Sequence, residues 1–511
     1  TPDFSKDRCT QTFYDLDGLK IGEQDAAGYV TAWERDAAGR IRAKTLYATP
    51  MPISKDNFGD FAKVQPPRNS ADAKTQYRRD ARGQCRAKID PKGYVTTYSY
   101  YPNGKKQSQR QYMATLPAVD FAIPENLLPP ESPEDRVTNY TYDALNRLKQ
   151  RTDSTGKQVN YEYDFITGKC TSKRIIDARA PLNTSDPSCQ RTSYTFYDQW
   201  GQLVKEANVY LAQQFTEIDA DTSLNEAQKI AAKEKLWQTA STRHIYDEHG
   251  LKLKTLASSS SETPNDVVTY YYYDEQRRPI LTIDPTGAIT EHTLNNAGQP
   301  LITRHYAAFA TATNLPKLTG GKITSEFRQA LDKLKDDAKD ALTTNTYDKR
   351  NQLIQTTDPE GYITIKKYNA FQEVSEEQLP VADQQPSLTV SHVYEPRGLE
   401  ITTTKTAKDL TITESHAYEN PYGKCTKTVD AIGGVHQQVY DRLGQLETRI
   451  LNGVEQQAFV YDALGRVVEA TDALNQTTRH DFDQARRTET IHYPVAGVSK
   501  TLTSNVFGET I

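Results

Sequence analysis

Tyr461-Asp462-Ala463-Leu464-Gly465-Arg466 is followed by Asp472-Ala473-Leu474-Asn475 and then by Phe482-Asp483. The aromatic-Asp pair returns after twenty-one residues, and the same step leads back to Tyr440-Asp441, with Gly444 in the place of Gly465. Within each step a small turn-former stands four residues after the aromatic, and an Asp stands eleven after Tyr461. A fixed period of about 20 to 50 residues marks a repeat architecture, whose units bury apolar surface only against their neighbours.

The spacing says what one unit is. Asp at the head of a four- or five-residue segment with Gly or Asn near its end writes a tight hairpin turn. The carboxylate accepts nearby backbone N–H groups, and Gly takes a positive φ without steric cost. Asp-Pro-x-Gly, about ten residues on, is a second turn, with Pro presetting φ at its first central position. Between the turns lie stretches such as Arg466-Val467-Val468-Glu469-Ala470, as long as an ordinary strand of about 5–6 residues. Each unit is therefore two strands and two turns, and the chain is all-β. The Tyr recurs at one strand position, which predicts a ladder of stacked aromatic rings along the sheet.

The register runs through the whole chain. It opens at Tyr14-Asp15 with Gly18, passes Asp25-Ala26-Ala27-Gly28, and reappears at Asp36 and at Asp80. It continues at Tyr142-Asp143, Tyr163-Asp164, Tyr197-Asp198, Tyr246-Asp247, Tyr273-Asp274 and Tyr347-Asp348, with weaker copies at Tyr394 and Tyr418. Asp90-Pro91, Asp284-Pro285 and Asp358-Pro359 head second turns. These Tyr, Asp and Gly residues are read as structural rather than catalytic.

Four insertions interrupt the series within a single repeat domain spanning 1–511. Pro-rich loops are expected over about 48–70 (Pro50, Pro52, Pro66, Pro67) and about 116–135 (Pro117, Pro124, Pro129, Pro130, Pro133). A helix is expected over about 222–239, where Ser223-Leu224-Asn225-Glu226 reads as a capping box and Ala227, Ile230, Ala231 and Trp237 form one face. Another is expected over about 324–343, with Thr324 as N-cap ahead of Phe327, Ala330, Leu331, Leu334, Ala338 and Leu342. Each helix is expected to pack on the sheet, or else to plug or line an opening.

Composition excludes several classes. Hydrophobic residues make up 36%, against about 45–50% in typical chains (a range that includes Gly). The 31 Tyr outnumber 14 Phe and 3 Trp, so the apolar surface sits on a residue with a polar handle, suited to thin walls near water. A net charge of -5 without a Lys/Arg block gives no support for nucleic-acid binding. No apolar run reaches the roughly 18 residues of a membrane span. Five scattered cysteines without a CxxC form neither a disulfide framework nor a zinc site. No phosphate-binding Gly loop, GxSxG elbow or HExxH is present, and His244 and His249 are poorly spaced for metal, so no cofactor, metal or catalytic residue is expected. Thr1 reads as a trimmed end rather than an N-terminal nucleophile. Asn139-Tyr140-Thr141, Asn183-Thr184-Ser185 and Asn475-Gln476-Thr477 match the glycosylation sequon. The chain starts without an initiator Met and ends inside what reads as another repeat start, so both ends read as cuts through a longer protein.

Tyr-Asp-x-x-Gly-Arg units at this period resemble the YD repeats of the Rhs family: bacterial Rhs proteins, the B and C components of insecticidal toxin complexes, wall-associated proteins and teneurins. The resemblance covers nearly the whole chain apart from the insertions. It implies a sheet wound as a spiral into a hollow shell, or part of one. It further implies a non-catalytic scaffold that encloses a toxin or cargo polypeptide, completed by other parts of the same protein or a partner shell component. Such a protein is secreted or exported by a specialised bacterial system. Rhs cores of toxins typically end in a segment with Asp-Pro-x-Gly near an autocleavage site. Here Asp90-Pro91, Asp284-Pro285 and Asp358-Pro359 occupy ordinary second-turn positions, so no catalytic residue is carried over and self-cleavage would lie beyond Ile511. The alternative reading is an extracellular glycan- or cell-surface-binding module, for which Tyr270-Tyr271-Tyr272-Tyr273 would supply a sugar-stacking track or, equally, sheet positions.

Overall fold

The structure is a computed structural model that describes residues 7–116, 127–180, 189–207, 209–258, 266–315, 317–380, 388–408 and 410–511. Thr1, Pro117, Pro124 and the sequon at Asn183 lie outside the described residues.

The local chemistry of the turns sets the architecture. In the unit at Tyr461, the Asp462 Oδ1 accepts the N–H groups of Leu464 (2.8 Å) and Arg466 (3.0 Å). The Asp462 N–H donates to the Arg466 carbonyl and the Gly465 N–H to the Asp462 carbonyl, so Gly465 sits at φ 77°. The strand leaving the turn carries a bulge. Val460 faces Glu469 but Tyr461 faces Val467, leaving Val468 as the extra residue. The same register shift falls on Tyr14, Tyr197, Tyr246, Tyr273, Tyr347 and Tyr440. Strand, turn, bulged strand and second turn then repeat, giving thirty-six strands in one sheet among the described residues. Where register is given, successive strands pair antiparallel, and Gly321–Lys322 adds a parallel pairing beside Tyr272 and Tyr273.

Two compact units divide the chain. Residues 1–157 and 390–511 form one, and residues 158–389 form the other. Neither has a thick core. Small apolar clusters form where insertions cover the sheet. One gathers Phe13, Val30, Tyr47 and Val64, and another Ile89, Val95, Tyr112 and Leu116. A third joins Tyr272, Leu281, Ile283, Ile289, Tyr306, Phe327 and Leu331.

Four helices occur among the described residues: α1 (Phe61–Val64), α2 (Val209–Ala220), α3 (Glu226–Ala240) and α4 (Ser325–Asp332). α1 lies in the first Pro-rich segment and sets Phe61 against Phe13, with ring centroids 5.3 Å apart. The Phe61 ring occupies the space a side chain at residue 22 would need, which accounts for Gly22.

The helical expectations need three corrections. The cap of α3 is Asn225 paired with Gln228, because Ser223 is already bound to the Asp221 carboxylate. Ala227, Ile230 and Ala231 are exposed, since α2 supplies the buried Leu211 and Phe215 and only Trp237 of the expected face packs there. Thr324 does cap α4, but that helix stops at Asp332. Leu342 belongs to the strand Ala341–Tyr347, opposite Arg304. Asp340 accepts the Asp336 and Ala307 N–H groups there, fixing a turn where the helix would have run on.

Arg277 (φ 63°) and Gln372 (φ 69°) hold the left-handed turn position filled elsewhere by Gly or Asn, and both side chains are exposed. Left-handed backbone costs an L-residue roughly 1–2 kcal/mol, partly offset by the greater freedom of Gly in the unfolded chain. Arg277→Gly and Gln372→Gly are each expected to stabilise by up to about 1 kcal/mol, read as a rise in Tm. Gly465→Ala should lower it.

Candidate functional site

Each signature residue has an assigned place. The Asp residues of the signature form the turn heads. At Asp15, Asp143, Asp198, Asp247, Asp348 and Asp441 the carboxylate accepts N–H groups two and four residues on, as at Asp462. At Asp274 the N–H four residues on is bound in the same way. Asp164 heads a turn one residue longer, closed through Thr167 and Gly168. Gly18, Gly444 and Gly465 hold the positive-φ position. Where Arg ends the turn, its Nε reaches the second carboxylate oxygen: Arg466 to Asp462 at 2.7 Å, Arg147 to Asp143 at 2.7 Å and Arg278 to Asp274 at 2.6 Å. Burial pulls the Asp143 and Asp274 carboxyls up, but the backbone N–H and guanidinium of the following Arg outweigh it and hold both below the usual range.

The tyrosines do not form the expected ladder of stacked rings. Repeat tyrosines sit two strands, about 9.5 Å, apart, too far for rings that prefer centroids roughly 4.5–7 Å apart. Several of the hydroxyls instead donate to a carbonyl where the preceding unit's exit strand begins. Tyr461 reaches Leu446 (2.7 Å), Tyr440 reaches Cys425 (3.0 Å), Tyr273 reaches Lys252 (2.9 Å) and Tyr347 reaches Pro300 (3.1 Å). Burial raises the pKa of all four hydroxyls. The cation closing the preceding turn covers the ring, as Lys169 does over Tyr197 at 4.9 Å and Arg466 over Phe482 at 4.0 Å. In the tract from Tyr270 to Tyr273, Tyr272 is buried and stacks on Phe327 of α4, and Tyr270 packs against the same cluster.

Within the unit formed by residues 1–157 and 390–511, two rows of turns meet. The second turn at Asp25–Gly28 lies by the Tyr-Asp-type turn at Glu395–Gly398, where the Arg397 guanidinium covers the Tyr29 ring at 5.1 Å. The second turn at Asp90–Gly93 meets the turn at Asp441: Lys92 Nζ contacts the Asp441 carboxylate at 2.8 Å, and the Tyr94 hydroxyl donates to the Tyr461 carbonyl at 3.3 Å. Farther along, Arg487 Nε donates to the Thr155 carbonyl and Gln484 Nε2 to the Glu134 carbonyl. The rows run in the same chain direction, 25 to 90 to 155 against 397 to 441 to 487. Burial raises Asp25 and Asp90 above the usual carboxylate range, against the pull of their own turn N–H groups.

A device absent from the sequence reading closes three insertions. Asp72, Asp135 and Asp340 are buried and stand just before the strand that resumes the repeat. One oxygen of each accepts an N–H at the insertion's exit, from Ala48, Met113 and Ala307 respectively. The other accepts an N–H at its return, from Asn69, Ser132 and Asp336. The residue before each exit is a buried Tyr: Tyr47, Tyr112 and Tyr306. Arg110 and Arg304 add ion pairs to Asp135 (3.1 Å) and Asp340 (2.6 Å). The available signal was a Tyr leaving the series and an Asp at the point of return.

Beside the second clamp a hollow of about 910 Å³ lies over the sheet, lined among others by Gln76, Arg78, Thr97, Ser108, Arg110 and Leu128. Arg78 is held by the Leu127 carbonyl and Arg110 by Glu131 and Asp135. Among the described residues no group of three or more His, Cys, Asp or Glu is placed to hold a metal ion, and no helix is long and apolar enough to cross a membrane.

No family model matches the chain. Its fold is similar to that of solved Tc toxin structures. Against the crystal structure of TcdB2-TccC3 without its hypervariable C-terminal region the TM-score is 0.58 at 13% identity, over 99% of this chain. The TcdB2-TccC3-Cdc42 crystal structure gives 0.57 at 14% identity over 97%. The Tc holotoxin pore of Photorhabdus luminescens, carrying a TccC3 point mutation, gives 0.56 at 13% over 97%. The chain spans 25% of the length of each of these solved chains.

Two outcomes are expected. Asp90 carries a raised pKa, so its charge costs stability at neutral pH, and the cost lessens as pH falls through the folded pKa. Asp90→Asn, which keeps the acceptor oxygen, should therefore match or exceed the parent Tm at pH 7 and lose that gain on acidification. Asp143 carries a lowered pKa, so its contribution is complete above the unfolded value of about 3.9 and fades below it; Asp143→Asn should lower Tm at pH 7 and converge with the parent in acid. Separately, Asp135→Ala strands two N–H groups and leaves Arg110 with Glu131 alone. It should cost roughly 2–4 kcal/mol in urea unfolding and speed proteolysis within 127–135.

Proposed function

We propose that the chain is a section of the wall of an Rhs-type, toxin-complex-like shell, a non-catalytic scaffold that encloses a toxin or other cargo polypeptide. The observation that carries this reading is the meeting of turn rows in the same chain direction. A meander that lies back on itself as a flat sheet brings its rows together in opposite directions, whereas a wound sheet brings second turns of one coil against Tyr-Asp turns of a later coil in the same order. The likeness to TcdB2-TccC3 structures supports it at the level of fold. The thin, Tyr-rich wall suits a sheet with both faces near water or a polar polymer, and shell function needs no cofactor.

On this reading the cargo touches the wall without specific pockets, further shell comes from the rest of the same protein or a partner, and the assembly is exported. Small-angle scattering tests it. A compact solid of this length has a radius of gyration of about 24 Å. A wound wall is expected to exceed that clearly, with pair distances skewed to long values. A compact, bell-shaped distribution would mean that the repeats pack into a solid module, and the shell reading would fall.

A further inference from the structure

Charge is spread very unevenly along the sheet of the unit formed by residues 1–157 and 390–511. Seven successive strands run from Ile41–Leu46 through Ala73–Arg79, Cys85–Ile89, Tyr94–Tyr100, Lys106–Thr115 and Arg136–Tyr142 to Leu148–Asp153. They hold twelve Lys and Arg against one acid, Asp153. The whole chain, by contrast, has a net charge of -5. Register sorts the cations by face, because directly paired residues point to the same side. Lys44 pairs with Thr75, Tyr77 with Lys88, Lys88 with Thr96, Thr96 with Gln111 and Gln111 with Arg136. Arg42 and Arg86 stand two residues from Lys44 and Lys88 and share their side. Arg42, Lys44, Arg86 and Lys88 are all exposed. The apolar clusters that take in Val64 and Leu116 use the alternate residues, among them Tyr47, Ala87, Ile89 and Val95, so they lie on the opposite face. Elsewhere in the unit a cation meets an acid on the next strand, as Arg479 meets Glu469 at 3.0 Å. Lys44, Arg86 and Lys88 have no ion pair among the described residues.

We propose that this face binds an acidic polypeptide segment in extended conformation. Charge complementarity is the argument, since the face has gathered cations and kept acids out. Spacing adds to it. Arg42 and Lys44, like Arg86 and Lys88, recur every second residue along a strand, roughly 6.8 Å apart, and carboxylates on one side of an extended chain recur at that same distance. The aromatic rings on this side are already covered by cations: Lys20 and Lys44 over Trp33 at 4.8 and 5.9 Å, and Lys106 over Tyr98 and Tyr140 at 4.8 and 5.5 Å. A nucleic-acid base or a sugar ring would need such a ring open for stacking, whereas a carboxylate needs only the cation. Further wall joins a sheet at its edge strands or its turns and leaves the face clear. The proposal holds whether or not the sheet closes into a shell.

Fluorescence anisotropy of a labelled peptide of alternating Glu and Ser, titrated with the whole chain, tests it. The peptide should bind at low salt, and the corresponding Lys-Ser peptide should not. Binding should fade as salt rises, because the screening length falls from about 30 Å at 0.01 M to about 10 Å at 0.1 M. Arg86→Glu combined with Lys88→Glu should weaken it about tenfold or more. Lys427→Glu combined with Lys500→Glu makes the same change in net charge at exposed positions on later strands of the unit, and should leave binding nearly unchanged. All four side chains are exposed, so the variants should melt like the parent; Arg86→Gln with Lys88→Gln serves if the reversed pair does not. A Glu-Ser peptide that fails to bind at low salt overturns the proposal, as does an equal loss in both double variants. A single-stranded oligonucleotide bound as tightly as the peptide would overturn the assignment to polypeptide. None of these outcomes bears on the radius of gyration, so the shell reading stands or falls separately.

Discussion

One carboxylate oxygen accepting two backbone N–H groups, two and four residues along, is the constraint on which the rest depends. It closes a five-residue turn whose fourth residue must be left-handed and whose outgoing strand is bulged. The bulge strengthens local right-handed twist at the turns that carry it, so those turns rather than the faces of the sheet set its local twist. Asn serves at 295, 369, 420 and 505, making the same two bonds without charge. The oxygen is therefore what the fold requires. The charge is an addition, favourable at Asp143 and Asp274, where an Arg follows, and unfavourable where Asp25 and Asp90 are buried.

A sheet with so little interior must hold its units together by other means. At units such as those of Tyr440 and Tyr461 the Tyr hydroxyl ties the unit to the preceding exit strand, and Phe at that position would leave the carbonyl without this donor. The chain tolerates Phe482, where the Arg466 guanidinium covers the ring at 4.0 Å. Insertions supply the apolar clusters, and the clamps at Asp72, Asp135 and Asp340 let each insertion leave and rejoin the sheet without unsatisfied backbone at the junction. A loop tied at both ends by one buried carboxylate can vary in length while its ends stay fixed. The segments between the clamp Tyr and Asp range accordingly, with the longest carrying α4.

The repeat, and with it the strand and turn order, was legible because it rests on local chemistry: Asp, Gly and Pro act within five residues. Thr324 was legible for the same reason. What escaped were consequences of distance. The stacked-ring ladder failed because period in sequence is not neighbourhood in space; twenty-one residues span two strands. The helix expected to 343 stopped at Asp332 because pairing between Ala341–Tyr347 and Pro300–His305 and the Asp340 clamp overrode an apolar spacing. The face through Ile230 was displaced by α2, which carries no strong start signal. The clamps were hidden among 67 acidic residues, many of them Asp that head turns, and nothing in one sequence separates a carboxylate that spans 22 residues or more from one that spans four.

The contact between turn rows differs in kind from the sheet, and the difference has mechanical consequences. Along the sheet, strands share continuous backbone hydrogen bonds and the Tyr tie, so opening one position exposes several polar groups. Across the rows, contact rests on spaced pairs such as Lys92–Asp441, with the acid well buried and the lysine partly wet. A partly exposed ion pair contributes little by itself, about 1 kcal/mol or less, and salt weakens it. Rows of turns should therefore separate before strands do. The first openings within the unit of residues 1–157 and 390–511 are therefore expected along the lines where one row of turns rests on another, before any strand leaves the sheet.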